Sequence, residues 1–325
     1  MKGYKGFNPG LVCKYKQYQE NTVFEEPEAK ICEKGMHFCE NPFDVLDYYD
    51  LVRYDGSFND FAKVEALDDC KTDDGKKFCT KKLKIGVRLG LSGFVKACVD
   101  FILERTVLET PSENVDSGYS AQIGSSGDYA QIGSSGYSAQ IGSSGDSAKI
   151  GSSGYSAQIG SSGDSAKIGS SGNSAKIGSS GNYAQIGSSG DYAQIGSSGD
   201  YAQIGSSGYS AQIGSSGDYA QIGSSGNSAK IGSSGYSAKI GSFGNYAQID
   251  CTGNYSVICC AGHGAVVKAS VGCWITLSEW MYDNEKKRNV PICVKTEYVD
   301  GERIKADTPY TLNNGEFVEI AYGRN

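Results

Sequence analysis

A nine-residue repeat fills the middle of the chain and constrains its fold more than any other feature. From about Gly118 to Ile249 the sequence follows the pattern Gly-x-x-Ala-[Gln/Lys]-Ile-Gly-Ser-Ser, and fifteen isoleucines, from Ile123 to Ile249, lie nine residues apart. Two degenerate repeats follow at Ile258 and Val267. A short fixed period is typical of a solenoid, in which each repeat packs only against its neighbours. The repeat also explains why a chain of 325 residues contains 45 glycines.

The alternation inside each repeat predicts a strand with one buried face. Alanine and isoleucine are two residues apart and share a face, whereas the glutamine or lysine between them points the other way. An interior of Ala, Ile and a small serine is thin and favours two closely spaced sheets. We therefore predict a mainly β fold built on a parallel β-solenoid with two repeats, about 18 residues, per coil, and three repeats per coil is the alternative. A strand spacing of about 4.8 Å gives a rod roughly 40 Å long.

Conventional sequence precedes the repeat. Residues 1–91 indicate an α+β domain, closed by a strand in which Leu83, Ile85, Val87 and Leu89 alternate with polar residues. Residues 92–110 indicate an amphipathic helix, running to about Val107, and a linker. Because the first coil of a solenoid exposes an unpaired edge, we predict that this helix caps the N-terminal end of the rod.

The solenoid is expected over residues 118–270, with Gly-Ser-Ser-Gly at its corners, and a β-rich cap over residues 271–325. Larger apolar residues such as Trp274 and Trp280 mark the change. Two hairpin turns are predicted in the cap, one at Asp300-Gly301 and one at Asn313-Asn314-Gly315.

Charge and composition narrow the classes of partner. The net charge is −7, with 30 Lys+Arg against 37 Asp+Glu, which argues against nucleic-acid binding through phosphate contacts. The sequence shows neither the apolar stretch of a signal peptide nor the roughly 18 apolar residues of a membrane span. Eleven cysteines, an odd number, favour reduced thiols. We expect a soluble protein of the bacterial host cytoplasm that contacts neither nucleic acid nor membrane.

Outward-facing positions of the repeat form ladders of like side chains along the rod. One is a Gln/Lys column, and beside it runs a Ser/Tyr column whose tyrosines should be exposed. Stacked tyrosines stabilise a solenoid, and a strip of them also offers contact area for a protein partner at low entropic cost. The predicted binding residues are Tyr129, Tyr183, Tyr192, Tyr201, Tyr219 and Tyr246.

Three other uses of a solenoid fit the sequence less well. Calcium binding needs an aspartate at a fixed turn position, but Asp, Asn and Tyr alternate there. DNA mimicry needs dense negative charge, yet six aspartates and five lysines leave the regular repeats at about −1. Ice binding needs an ordered hydroxyl array, which lysines and aspartates interrupt here.

The N-terminal segment contains residues of metal-ligand type without the usual spacing. Cys32 and Cys39 are seven residues apart with His37 between them, and Cys13 lies well upstream, whereas zinc sites use closer cysteine pairs. We predict unligated cysteines and assign no metal, cofactor or catalytic residue.

Both ends of the chain resemble an uncharacterised family of phage and prophage proteins. The matching stretches are Met1 to Phe7 (MKGYKGF) with Cys13, Cys32 to Pro42 (CEKGMHFCENP), Asp44 to Tyr49 (DVLDYY), and Ile304 to Thr308 (IKADT). Members carry a glycine-rich nine-residue repeat between such ends. The resemblance implies a phage-related origin and supplies no catalytic residues.

A more distant similarity links the N-terminal segment to ADP-ribosyltransferases. Tyr4-Lys5-Gly6, then Gly35 to Cys39, then Tyr48-Tyr49 at a helix end follow a similar order, although the first motif lacks an Arg or His. This resemblance implies an enzyme in which Tyr4, His37 and Glu65 matter, with Glu65 as the catalytic acid.

The sequence favours a non-enzymatic interaction or structural protein. The expected partner is a host protein, with a defence component as one candidate, and self-association of the rod stays open. An ADP-ribosyltransferase-like enzyme with the solenoid as a scaffold and an ice-binding solenoid are the alternatives.

Overall fold

The structure, a computed structural model, describes residues 1–53, 57–105, 113–116 and 118–320. It consists of an N-terminal sheet domain, a parallel β-solenoid and a C-terminal β cap. The predicted fold class is confirmed, with about 18 residues per coil and about nine coils.

The N-terminal domain is an antiparallel sheet in the strand order β4-β8-β6-β1-β5-β7, with β2 and β3 forming a separate hairpin. The strands are β1 (Lys2–Phe7), β2 (Val12–Cys13), β3 (Lys16–Gln17), β4 (Thr22–Glu25), β5 (Met36–Cys39), β6 (Asp60–Ala66), β7 (Lys77–Thr80) and β8 (Lys82–Leu89). The predicted strand at Leu83 is β8. Its first half has the expected buried face at Leu83 and Ile85, but Val87 is 58% exposed because the register against β6 shifts between Ala62 and Val64.

Two helices follow strands of this sheet within the described residues, α1 (Pro42–Val45) and α2 (Leu91–Leu103). Asn41 caps α1 by accepting a hydrogen bond from the backbone N–H of Phe43 at 3.0 Å. The amphipathic helix predicted after β8 is α2, and residues 106 and 107 of its predicted last turn lie outside the described residues, as does the linker to residue 110. Its predicted place is wrong, because α2 packs along the side of the rod, against β10 to β18, instead of across its first coil.

The solenoid strands alternate between two parallel sheets. The even-numbered sheet contains β10 (Gln122–Ser125), β12 (Gln140–Ser143), β14 (Gln158–Ser161), β16 (Lys176–Ser179), β18 (Gln194–Ser197), β20 (Gln212–Ser215), β22 (Lys230–Ser233), β24 (Gln248–Cys251) and β26 (Val266–Ala269). The odd-numbered sheet contains β9 (Glu113–Asp116), β11 (Gln131–Ser134), β13 (Lys149–Ser152), β15 (Lys167–Ser170), β17 (Gln185–Ser188), β19 (Gln203–Ser206), β21 (Gln221–Ser224), β23 (Lys239–Ser242) and β25 (Val257–Cys260). Partners within a sheet are 18 residues apart, as in Ile141 against Ile159, which confirms two repeats per coil.

Each residue type of the repeat has a structural reason. Alanine, isoleucine and the first serine point inward, as Ala157, Ile159 and Ser161 do. The strand is Gln/Lys-Ile-Gly-Ser, so the corner is the following Ser-Gly-x-x, two residues later than Gly-Ser-Ser-Gly would place it. Glycine is required at the corner because a Cβ atom on Gly145 would lie 2.0 Å from the carbonyl oxygen of Gly127 one coil earlier.

The C-terminal cap closes both sheets. Strand β27 (Trp274–Asp283) continues the odd-numbered sheet and pairs with β28 (Arg288–Tyr298), whereas β29 (Tyr310–Asn313) and β30 (Glu316–Glu319) extend the even-numbered sheet. The hairpin predicted at Asn313-Asn314-Gly315 is the β29–β30 turn. The hairpin predicted at Asp300-Gly301 is wrong. Strand β28, which precedes this turn, pairs with the preceding strand β27 and not with the residues that follow the turn.

Candidate functional site

The two outer faces of the solenoid have nearly the same sequence but different surroundings. The outer face of the even-numbered sheet, the covered face, carries the N-terminal domain. Val99, Val95 and Leu91, four residues apart on α2, lie over successive glycines of this face: Gly160, Gly178 and Gly196. A Cβ atom on Gly178 would lie 2.7 Å from Val95 Cγ2, so glycine is what allows the helix to approach.

The Gln/Lys column of the covered face is bound by the segment around α1. Gln158 Nε2 donates to Asp47 Oδ1 at 3.3 Å, and Gln194 Nε2 donates to Asp50 Oδ1 at 2.8 Å. Between them, Lys176 Nζ donates to the carbonyl oxygen of Leu46. Burial lowers the pKa of Lys176, although Asp47 and Asp50 oppose this. The covered face is therefore bound by an apolar helix over its glycines and by aspartates along its amide column.

The outer face of the odd-numbered sheet, the open face, has the same two columns, and neither helix of the described residues packs along it. Its Gln/Lys column is exposed. A Cβ atom on Gly151, Gly169, Gly187, Gly205 or Gly223 would meet no atom of the described residues within 4 Å. A groove of about 1320 Å³, the open groove, runs along this face from Gln131 on β11 to Cys259 on β25. Three lysines lie along it, Lys149, Lys167 and Lys239.

The C-terminal end of the open groove departs from the repeat. Phe243 replaces a corner serine and is 68% exposed, with its ring near Gly241 on the groove floor. Val257 and Trp274 continue the Gln/Lys column and are about half exposed, and Trp274 packs on Tyr298 with ring centroids 5.1 Å apart. The groove thus ends at exposed apolar side chains: Phe243 beside its floor, and Val257, Trp274 and Tyr298 in the column and the cap.

The predicted tyrosines are exposed but do not form one strip. Turns that lead into odd-numbered strands carry Tyr129, Tyr183, Tyr201 and Tyr219, and turns that lead into even-numbered strands carry Tyr192 and Tyr246. The structure stacks Tyr183, Tyr201 and Tyr219, with ring centroids 5.0 Å apart at each step. Tyr192 and Tyr246 lie on the other edge of the rod. Whether these tyrosines bind a partner stays a prediction.

The turn aspartates have a structural role that explains why Asp and Asn exchange there. Asp200 Oδ1 accepts a hydrogen bond from the backbone N–H of Asp218 at 2.9 Å, and Asn182 Oδ1 accepts one from Asp200 at 2.9 Å. Each side chain thus ties its coil to the next. Among the described residues, no group of three or more His, Cys, Asp or Glu side chains could hold a metal ion.

A second cavity, of about 210 Å³, lies in the N-terminal domain beside β1 and β5. It is called the basic cavity here because Lys5, Lys14 and Lys77 line it. Tyr4, His37 and the cysteines Cys13, Cys32 and Cys39 also line it, so the structure brings these predicted residues together. Glu65, the acid that the transferase resemblance implies, is not part of the lining, and among the described lining residues none is acidic.

The electrostatics of the basic cavity reflect burial and positive charge. Burial, together with Lys5, Lys77 and Lys14, lowers the pKa of His37 to about 4, so the imidazole is neutral. Its Nε2 accepts a hydrogen bond from the backbone N–H of Cys32 at 3.0 Å. Burial raises the pKa of Cys39 to about 12, which keeps this thiol protonated and a poor nucleophile.

Sequence reasoning missed the open groove and the role of Lys5. Phe243 offered one signal, because it breaks the Gly-Ser-Ser-Gly pattern, but no signal in the repeat separates the open face from the covered one. Lys5 gave no signal, since a lysine in a strand is ordinarily exposed.

Residues 1–97 match the family model of a domain of unknown function (DUF7666). The match covers the N-terminal sheet and the first half of α2, and it agrees with the resemblance of this part of the chain to an uncharacterised family. No curated protein and no solved structure matches the chain. In the described part of the chain, helices are too short or too polar to cross a bilayer.

Proposed function

We propose that the protein is a non-enzymatic docking rod whose open groove binds a helical segment of a partner protein. One observation carries this proposal: the same repeat forms both faces of the rod, and on the covered face a helix, α2, lies along the glycine column. The covered face supports a helix as the structure that this surface accepts, and the open face offers nearly the same surface to another protein.

The geometry sets the length of the partner helix. On the covered face, the 13 residues of α2 cross β10 to β18, and a rise of about 1.5 Å per residue matches four strand spacings of about 4.8 Å. The open groove crosses β11 to β25, about 34 Å by the same spacing. A partner helix of up to about 20 residues fits along it.

The chemistry sets the partner's composition. Small apolar side chains three to four residues apart should lie over the glycine floor, as Leu91, Val95 and Val99 do on the covered face. Acidic side chains should flank them, because Lys149 and Lys167 stand where the covered face uses glutamines against Asp47 and Asp50. A larger apolar residue should meet the patch at Phe243 and Trp274, since exposed aromatic groups of this kind anchor interfaces.

The partner is a different protein rather than a second copy of this chain. The apolar side of α2, including Val95 and Val99, is already buried against its own rod and is not free to bind another. The resemblance to phage proteins directs the search to host proteins of the bacterial cytoplasm, defence components among them. The edge of the rod that carries the stacked Tyr183, Tyr201 and Tyr219 is the alternative docking surface within this proposal.

Three full-length proteins test the proposal in pull-downs from host lysate: the unchanged chain, the groove-filling variant Gly187→Leu/Gly205→Leu, and the edge variant Tyr183→Ser/Tyr201→Ser/Tyr219→Ser. We expect one partner that the unchanged chain and the edge variant capture and the groove-filling variant loses. Serine is the natural residue at this edge position in other repeats, so the edge variant is a matched control. Loss with the edge variant alone would move the site to the tyrosines, and capture of no partner by the unchanged chain would overturn the proposal.

Hydrogen exchange on the purified partner then tests the helical part. We expect protection over one amphipathic segment with acidic flanks when the rod is added. Protection over a segment that is extended in the partner would contradict a helical occupant.

A further inference from the structure

The basic cavity is positively charged in a chain whose net charge is −7. Three of its lining side chains are lysines, and no residue of the described lining is acidic. Asp44, Asp47 and Asp74 act on Cys39 and Tyr48 from outside the lining. Since like charges that line one cavity raise the electrostatic free energy of a fold, such a cluster favours an anion inside the cavity.

Lys5 is the central group of the cluster. The residue is 5% exposed, and its Nζ donates to the carbonyl oxygen of His37 at 2.9 Å. The ammonium also lies 5.4 Å from the centre of the Phe7 ring and 5.8 Å from that of Tyr18. A buried ammonium is costly unless an anion or several acceptors compensate it, and burial correspondingly lowers the pKa of Lys5. The His37 carbonyl, the Cys13 side chain and the two rings are uncharged partners of this ammonium. An anionic ligand would add the opposite charge that the described lining lacks.

Aromatic rings form the rest of the wall. The ring of Tyr49 packs so closely on Gly6 that a Cβ atom there would lie 2.6 Å from Tyr49 Cγ. Tyr48 lies under Lys77, whose Nζ is 4.2 Å from the ring centre. These rings supply flat apolar surface next to the lysines, the combination that recognises a planar molecule with a charged end.

Size limits the ligand. A dry cavity of about 150 Å³ accepts a benzene ring, so 210 Å³ accommodates one ring and one acidic group. We propose that the basic cavity binds a small organic anion with a single aromatic ring, its acidic group on Lys5 and Lys77 and its ring against Tyr48 and Tyr49. This site is independent of the open groove.

Benzoate and benzamide test this assignment, because they have nearly the same shape and differ in charge. Ligand-observed NMR titrations on the full-length protein should show saturable benzoate binding, with benzamide at least about tenfold weaker. Lys77→Met and Lys5→Met should each weaken the affinity for benzoate by about tenfold. Lys84→Met, which replaces an exposed lysine on β8, should leave this affinity unchanged.

The outcomes separate clearly. If Lys5→Met does not fold, Lys77→Met, at a partly exposed residue of the lining, carries the test. Equal binding of benzoate and benzamide, no saturable benzoate binding, or equal loss with Lys84→Met would each overturn the proposal. None of these results bears on partner capture by the open groove.

Discussion

The side chain of Val95 on α2 lies directly over Gly178 of the covered face, so close that a Cβ atom on Gly178 would lie 2.7 Å from Val95 Cγ2. Nine residues later in the chain, Gly187 has the same place in the repeat, and a Cβ atom there would meet no atom in the described part of the chain within 4 Å. This difference between equivalent glycines separates the open face from the covered face.

The same pair of glycines gives the first prediction. Gly178→Val should destabilise the docking of α2 by about 1–3 kcal/mol, because the new side chain overlaps Val95. Gly187→Val should change stability by less than about 0.5 kcal/mol. Hydrogen exchange of the α2 amides and the melting temperature should be measured for both variants. Equal effects at the two positions would contradict the assignment of the faces.

Asp200 provides a test of the turn ladder. Asp200→Ala removes the acceptor for the Asp218 N–H and should cost about 1 kcal/mol, whereas Asp200→Asn should be close to neutral because asparagine keeps an acceptor oxygen. Exchange protection of the Asp218 amide should fall only in the alanine variant. A similar fall in both variants would show that charge, and not the hydrogen bond, matters here.

Asp60 is predicted to be the most sensitive polar residue of the N-terminal domain. Its carboxylate is buried and accepts hydrogen bonds from the backbone N–H groups of Gly10 and Leu11, at 2.7 and 3.0 Å, and from Arg88. Asp60→Ala should lower the free energy of unfolding by about 2–3 kcal/mol. The loss is smaller than for a fully buried ion pair, because the side chain of Arg88 is half exposed. Calorimetry should show a lower melting temperature for this variant, and Asp69→Ala, at an exposed loop residue, should match the unchanged chain.

His37 makes the stability of the N-terminal domain depend on pH. Its folded-state pKa of about 4 lies below the ordinary value of about 6.5, so the unfolded chain binds a proton first as pH falls. The free energy of unfolding is therefore highest with respect to His37 above about pH 6.5, and it should fall by about 1–2 kcal/mol towards pH 4. His37→Gln should lose less stability over this range. An identical pH profile for both proteins would rule out His37 as the cause.

The candidate sites were only partly predictable from the sequence. The exposure of the tyrosines followed from the repeat, but they were predicted as one column. The structure divides them between two edges, because successive repeats lie in opposite sheets. Tyr4 and His37 were predicted as residues of interest and do share a cavity, whereas Glu65 was an assignment by resemblance and lies outside its lining. Burial of Lys5 depends on how β1, β5 and the segment around Cys13 pack together, which no local pattern encodes.

The sequence by itself determined the rod. An apolar pair two residues apart, repeated every nine residues, can be buried only if Ala157 and Ile159, and their equivalents, all face inward. The tertiary structure alone decided which face of the rod is available. Both faces carry nearly the same Gln/Lys and Gly columns, and the packing of α2 and the segment around α1 onto one of them makes them different. That packing depends on contacts between distant parts of the chain, so the repeat could predict two equal surfaces but not which one remains open.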